Sequence, residues 1–162
     1  MLLKNLIKNI SKDKKDIIVT GLSTNSKAIK KNFIFFAIKG SAFNGERFIK
    51  EAVKKGASVV ICSKSCKFKD KKVSIIKTKD VRYFLSKIAS KFYNLKPKNI
   101  IAVTGTNGKT SVADIFYQIL RINNIPVETI GTLVIKFNNK IIKSNLTSTD
   151  IIKLHKQLYN LK

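Results

Sequence analysis

The segment Val103-Thr104-Gly105-Thr106-Asn107-Gly108-Lys109-Thr110-Ser111 brings together the groups that phosphate chemistry needs. Glycines let a backbone approach a phosphate closely, with its N–H groups turned inward and a helix N-terminus behind them. A lysine then reaches the terminal phosphates, and a hydroxyl can meet a magnesium ion. Gly105, Gly108, Lys109 and Thr110 supply these parts in that order. The spacing predicts a site for ATP or a close relative. A plain glycine turn between strand and helix is the blander reading, but it leaves the adjacent Lys109 and Thr110 unexplained. The general pattern carries another Gly at the position held here by Val103.

The other chemically capable side chains carry less. Cys62 and Cys66 are the only cysteines. Their spacing is not C-x-x-C, and no second pair exists to complete a zinc site. They read as a buried strand-end residue and a loop thiol. His155 is the single histidine; it has no partners for metal or triad chemistry and reads as solvated or lightly packed.

The elements that must position the glycine loop can be read from the periodicity. Asn99-Ile100-Ile101-Ala102-Val103 is a continuous apolar run, as expected of a buried parallel strand. After the loop, Val112, Ile115, Phe116, Ile119 and Leu120 define one side of a helix from about Lys109 to Asn123. Pro126–Ile130 reads as a strand. Leu133–Phe137 and Lys140–Lys143 flank Asn138-Asn139 as a hairpin. A capped helix runs from Thr149 or Asp150 through Leu161.

Before the loop, Asp16–Thr20, Asn32–Ile38, Ala57–Cys62 and Val73–Ile76 read as strands. Gly45–Lys55 reads as a helix stopped by Gly56, and a second helix opens at the N-cap Asp80 with its apolar stripe ending at Phe92. Pro97 marks the joint between two halves. The chain of 162 residues, 44% of them hydrophobic, suits one ordinary domain or two small ones.

The formal net charge of +24 invites a nucleic-acid reading. Of 33 basic residues, however, only Arg47, Arg82 and Arg121 are arginine. Base-edge and phosphate recognition favours the planar guanidinium fork, and the lysines are spread along the chain. The charge therefore reads as a solvated surface whose positive field would attract nucleotides, with no nucleic-acid partner. The longest apolar runs, near 33–38 and 100–103, are far too short to span a bilayer. The N-terminus lacks the unbroken apolar stretch of a secretory signal. The expectation is a cytoplasmic protein with no membrane partner.

Thr104–Thr110, preceded by Val103, closely resembles the phosphate loop of the Mur ligase family, whose members add amino acids to the peptide stem of peptidoglycan precursors. Folylpolyglutamate synthases have a similar loop but usually carry Gly where this chain has Thr110. The first half resembles the uridine-nucleotide-binding domain of the third and fourth ligases of that pathway. Its matching residues are Ser23-Thr24-Asn25-Ser26-Lys27, Phe33–Ile38, Gly40, Asn44-Gly45, Phe48-Ile49, Ala52 and Gly56-Ala57. The family pattern there is Asp-Ser-Arg, an apolar strand, Gly, Asp-Gly and Gly-Ala. Asn25, Lys27 and Asn44 replace its Asp, Arg and second Asp, keeping hydrogen-bonding ability while shedding negative charge. Leu146-Thr147-Ser148-Thr149-Asp150 resembles the Thr-Thr-Pro-Asp segment typical of the third ligase, the tripeptide synthetase. The fourth ligase usually lacks it.

The resemblance implies an α/β fold: a small N-terminal α/β uridine-nucleotide-binding domain over residues 1–96, then the start of a P-loop-type α/β ATP-binding central domain over residues 97–162. It implies ATP and Mg²⁺ as cofactors. ATP would phosphorylate the terminal carboxylate of UDP-N-acetylmuramoyl-L-alanyl-D-glutamate. The amine of a diamino acid would then attack the acyl phosphate, with meso-2,6-diaminopimelate the expectation and L-lysine the rival. Lys109 would be catalytic, neutralising charge and orienting the γ-phosphoryl group. Gly105, Thr106, Asn107, Gly108, Lys109, Thr110 and Ser111 would hold ATP, with Thr110 also a magnesium ligand.

Thr24, Ser26, Ser41, Ala42 and Phe43 would line the uridine-nucleotide pocket, and Thr147 and Ser148 would hold the muramoyl portion. The family's acidic magnesium ligand, its histidine, its carbamylated lysine and its third domain have no counterpart in residues 1–162. His155 does not fill that role, because it sits in the helix after Thr149. The expectation is a monomeric N-terminal part of a ligase that does not complete ligation alone. Three alternatives stand beside it: an inactive nucleotide or UDP-sugar binding module, the family's D-alanyl-D-alanine-adding ligase, and a basic nucleic-acid binder that uses ATP.

Overall fold

The computed structural model describes residues 1–8, 10–11, 14–40, 43–131, 134–137, 140–143 and 150–161. The first part holds α1 (Leu3–Leu6), β1 (Gly21–Ser23), β2 (Phe33–Phe36), α2 (Ile49–Lys54), β3 (Ala57–Ser63), β4 (Ser74–Thr78) and α3 (Val81–Phe92). The four strands form one all-parallel sheet in the order β1-β2-β3-β4. A parallel sheet needs cover on both faces, and the alternation along its strands provides two apolar faces. Ile34, Phe36, Val59 and Ile61 meet Leu3 and Leu6 of α1 and Leu85, Ile88 and Ala89 of α3. Phe35, Val60 and Cys62 meet Ile49 and Ala52 of α2 on the opposite face. Phe35 and Phe36 are fully buried, each burial stabilising the fold by about 1.5–3 kcal/mol.

β3 changes phase near its start. Phe33 pairs with Ala57 but Ile34 pairs with Val59, so Ser58 is an extra residue in the ladder. This β-bulge explains why Ala57 and Val59, two residues apart, face opposite cores. The helical reading of 45–55 resolves into a 3₁₀ turn, Gly45–Phe48, that runs into α2. Gly56 ends it at φ +103°, a conformation that L side chains rarely adopt. Asp80 caps α3 by accepting from the Tyr83 N–H at 2.9 Å.

The remaining elements are α4 (Lys109–Ile122), β5 (Thr129–Ile130), β6 (Val134–Phe137), β7 (Lys140–Lys143) and α5 (Ile151–Asn160). β5, β6 and β7 form an antiparallel sheet in which Phe137 faces Lys140. This is the expected hairpin; its turn, Asn138-Asn139, lies outside the described residues. Lys136 pairs with Asp114 of α4 and stands 4.9 Å from the Tyr117 ring centroid, which fastens the hairpin to that helix. Asp150 caps α5, accepting from Ile152 N–H at 2.8 Å and Lys153 N–H at 3.1 Å. Ile151 and Ile152 then pack against the first core, and Tyr159 meets Tyr93 edge-on at 6.0 Å.

Two expected strands differ. Residues 17–19 do not join the parallel sheet, because the N-terminus takes their backbone groups: Leu3 N–H donates to Ile17 O and Val19 N–H to Met1 O, at 2.9 and 2.8 Å. Regular pairing begins only at Gly21. The run Asn99–Val103 forms no strand, since none of the described strands pairs with it. Ile100 and Ile101 are 54% and 65% exposed, and the apolar side of α4 at Val112, Ile115 and Ile119 is likewise open. Among the described residues no helix is long and apolar enough to cross a membrane.

Candidate functional site

The glycine loop runs directly into α4. Gly105 stands at φ +151° and Gly108 at φ +76°. Nothing lies within 4 Å of a Cβ placed on Gly108, so its requirement is conformational rather than spatial. Gly108 is the N-cap of α4, and no side chain caps the helix there. The first N–H groups of a helix have no intrahelical acceptor and carry the positive end of its dipole.

Lys109 Nζ folds back over the loop, donating to the carbonyls of Gly105 and of Thr106, the latter at 3.1 Å. Thr106, Asn107, Thr110 and Ser111 are exposed. The segment 105–111 thus presents free backbone donors, a cation and hydroxyls on one loop, an arrangement suited to an oxyanion.

A second set of residues sits beyond the carboxyl ends of the parallel strands, where ligands of open α/β sheets bind. Thr24 follows β1. After β2, Gly40 N–H donates to Phe43 O at 2.8 Å and Lys39 forms a bridge with Asn44. Phe43 is 76% exposed. Asn25 caps the turn Ser26–Ala28 by accepting from Lys27 N–H at 2.9 Å, and Asn44 caps Gly45–Phe48 by accepting from Glu46 N–H at 3.0 Å. An amide oxygen performs this capping as a carboxylate would, which accounts for asparagine at both positions.

Ser26 is buried and its hydroxyl donates to Glu51 Oε2 at 2.8 Å, tying the end of β1 to α2. That bond, with a second from Lys55, holds the Glu51 carboxyl below the usual carboxylate range. Glu46 accepts from the Ser63 hydroxyl at 2.6 Å and fixes the end of β3. Ser41, Ala42, Thr147 and Ser148 lie outside the described residues. Arg82, whose spacing carried no signal, brings its guanidinium beside Gly40: a Cβ on that glycine would stand 4.0 Å from the Arg82 side-chain nitrogen.

The cysteines are both free and both buried: Cys62 lies in β3, and Cys66, in the loop after it as expected, packs into the second core. Burial, then the Cys66 side chain, pushes the Cys62 thiol up to about 12. Among the described residues no group of His, Cys, Asp and Glu could hold a metal ion. His155 is partly buried, and its pKa falls below the ordinary value through desolvation and then through Lys96.

The fold is α/β: a parallel sheet with helices on both faces, followed by a glycine-loop helix and a small antiparallel sheet. Residues 18–93 match the family model described as Mur ligase family, catalytic domain, and residues 103–162 match the Mur ligase middle domain. The chain carries Mur ligase N-terminal and middle-domain sequence.

Among curated proteins it is 42% identical over 147 residues to the UDP-N-acetylmuramoyl-L-alanyl-D-glutamate--2,6-diaminopimelate ligase of Rickettsia montanensis, covering 88% of this chain and 30% of that protein. A solved structure of a ligase with the same name superposes with a TM-score of 0.79 at 22% identity, covering 99% of this chain and 33% of that one. The MurF ligase from Thermotoga maritima in complex with ADP superposes with a TM-score of 0.52 at 30% identity, over 67% of this chain and 25% of that one. The chain therefore spans about a third or less of the length of these relatives.

Proposed function

We propose that this chain is the substrate-nucleotide and ATP-binding part of an ATP-dependent ligase that adds meso-2,6-diaminopimelate to UDP-N-acetylmuramoyl-L-alanyl-D-glutamate in peptidoglycan synthesis. The observation that carries this reading is the joint likeness of both halves to ligases bearing that name, at 34% identity over 146 residues in one Brucella melitensis protein and 42% in the Rickettsia one. Residues 1–96 would form the uridine-nucleotide domain and residues 97–162 the beginning of the ATP-binding domain. The described geometry fits ATP: an uncapped helix N-terminus, two positive-φ glycines and Lys109 over the loop.

Bound ATP supplies the phosphoryl group that activates the substrate carboxylate. The backbone N–H groups of the loop and α4 would orient its phosphates, and Lys109 would exchange its carbonyl partners for them. Thr110, exposed in the first turn of α4, would give Mg²⁺ a hydroxyl, with phosphate oxygens and water completing the shell as this ion commonly accepts. Half-buried Thr24 and exposed Phe43 would meet the uridine nucleotide. Ser26 would support that pocket indirectly, through its bond to Glu51. Ser41 and Ala42 would line the same pocket, and Thr147 and Ser148 would meet the muramoyl group.

Calorimetric titration of the chain with ATP–Mg²⁺ and, separately, with UDP tests the proposal. Each should bind, and Lys109→Ala should weaken ATP by tenfold or more, on the order expected for lost charge-assisted bonds, while leaving UDP binding intact. Wild-type affinity for ATP in Lys109→Ala would remove Lys109 from the role assigned to it. Failure of both nucleotides to bind would overturn the reading.

A further inference from the structure

We infer that Arg82 is the diphosphate-binding cation of the uridine-nucleotide site, a role that rests on the reading of that site just proposed. The chain meets its need for positive charge with lysine almost everywhere: of 33 basic residues only Arg47, Arg82 and Arg121 are arginine. A lysine serves any position that asks only for charge. A guanidinium is required where a planar fork must grip two oxygens at once. Arg82 therefore stands out by its type before its surroundings are considered.

Its surroundings agree. Arg82 lies in the first turn of α3, just past the carboxyl end of β4. Thr24, Gly40 and Phe43 likewise follow the carboxyl ends of β1 and β2, at the same edge of the sheet. Its guanidinium approaches Gly40, where a Cβ would stand 4.0 Å from the side-chain nitrogen and 3.3 Å from Phe43 O. A Cβ at Gly40 would thus only just touch the guanidinium, at ordinary contact distance.

Arg82 is exposed and makes no hydrogen bond, ion pair or ring contact among the described residues. Two acids on the segments that shape this edge are already engaged. Asp80 accepts from Tyr83 N–H at 2.9 Å, and Glu46 accepts from Ser63 at 2.6 Å. An unspent fork at the carboxyl edge, next to a glycine and an exposed Phe43, suits a nucleoside diphosphate: oxygens for the cation and a base for the ring.

Calorimetry with UDP and with uridine, on the wild-type chain and on Arg82→Lys and Arg82→Gln, tests this. UDP affinity should fall roughly tenfold to a hundredfold in Arg82→Gln, the range for lost hydrogen bonds to a charged group, and recover only in part in Arg82→Lys. Uridine affinity should stay unchanged in both. If the wild type binds UDP and Arg82→Gln binds it equally well, Arg82 has no such role and the site reading survives. Equal losses for UDP and uridine would mark Arg82 as merely structural and overturn the inference. Failure of the wild-type chain to bind UDP would bring down the site reading and the inference together.

Discussion

Replacing Gly56 by alanine should cost the fold about 2–5 kcal/mol, and the two parts of that cost can be separated. Gly56 stands at φ +103°, where an L side chain is strained by roughly 1–2 kcal/mol. An added Cβ would also stand 3.0 Å from Lys31 Cα and 3.3 Å from Lys31 N. Both neighbours are backbone atoms, so relief requires the chain to move, and overpacking of this kind costs about 1–3 kcal/mol. The backbone cannot shift freely, because Gly56 O accepts from Asn32 N–H at 2.9 Å and Gly56 N–H donates to Val53 O at 3.0 Å.

Asparagine tolerates positive φ better than alanine, and this chain already holds Asn32 at φ 65° and Asn124 at φ 58°. Gly56→Asn carries the same Cβ contact with less strain, so it should lie between the wild type and Gly56→Ala. Urea denaturation followed by far-ultraviolet ellipticity measures all three. A Gly56→Ala midpoint within error of the wild type would refute both the conformational and the steric argument; equal losses in the two variants would refute the conformational part alone.

Three further outcomes are expected. His155 should make stability pH-dependent: its pKa in the fold lies below the ordinary 6.5 because burial, then Lys96, disfavours the charged ring. The unfolded chain thus binds the proton more readily, and stability present above pH 6.5 is lost as pH falls through the lower folded value; His155→Gln should remove that component from stability-versus-pH curves. Asp80→Ala should cost about 1 kcal/mol by uncapping α3, read from the same urea transitions, while Asp80→Asn should cost less. Cys62, with its thiol at about 12 and no exposed surface, should resist a thiol reagent at pH 8 until urea opens the core; prompt labelling of Cys62 in the native chain would contradict its burial.

Much of this fold follows from local signals. The stripe Val81, Leu85, Ile88 and Ala89 faces the core as its spacing requires, and Asp80 begins that helix. The hairpin register and the Asp150 cap also follow from local chemistry. What local pattern does not carry is the choice of partner. Residues 16–20 have strand character, yet the N-terminus reaches their backbone first. Asn99–Val103 has the composition of a buried strand, but composition cannot provide a neighbour, and it lies exposed.

The site divides in the same way. Gly105, Gly108 and Lys109 are consecutive in function because they are nearly consecutive in the chain. Arg82 and Gly40 meet only through the sheet, and the Ser26 hydroxyl finds Glu51 through the packing of α2. Neither meeting leaves a trace in spacing.

The bulge at Ser58 gives β3 a spare residue. Ala57 faces the α2 side and Val59 the α1–α3 side, while Ser58 occupies the step between them with its hydroxyl buried and unpaired among the described residues. In an unbroken ladder the residue directly before Val59 would itself face the α2 side. Loss of Ser58 would therefore move Ala57 into a slot of the orientation it already has, and every later side chain of the strand would keep its face. The strand can absorb a one-codon deletion here that anywhere in its middle would turn the core inside out.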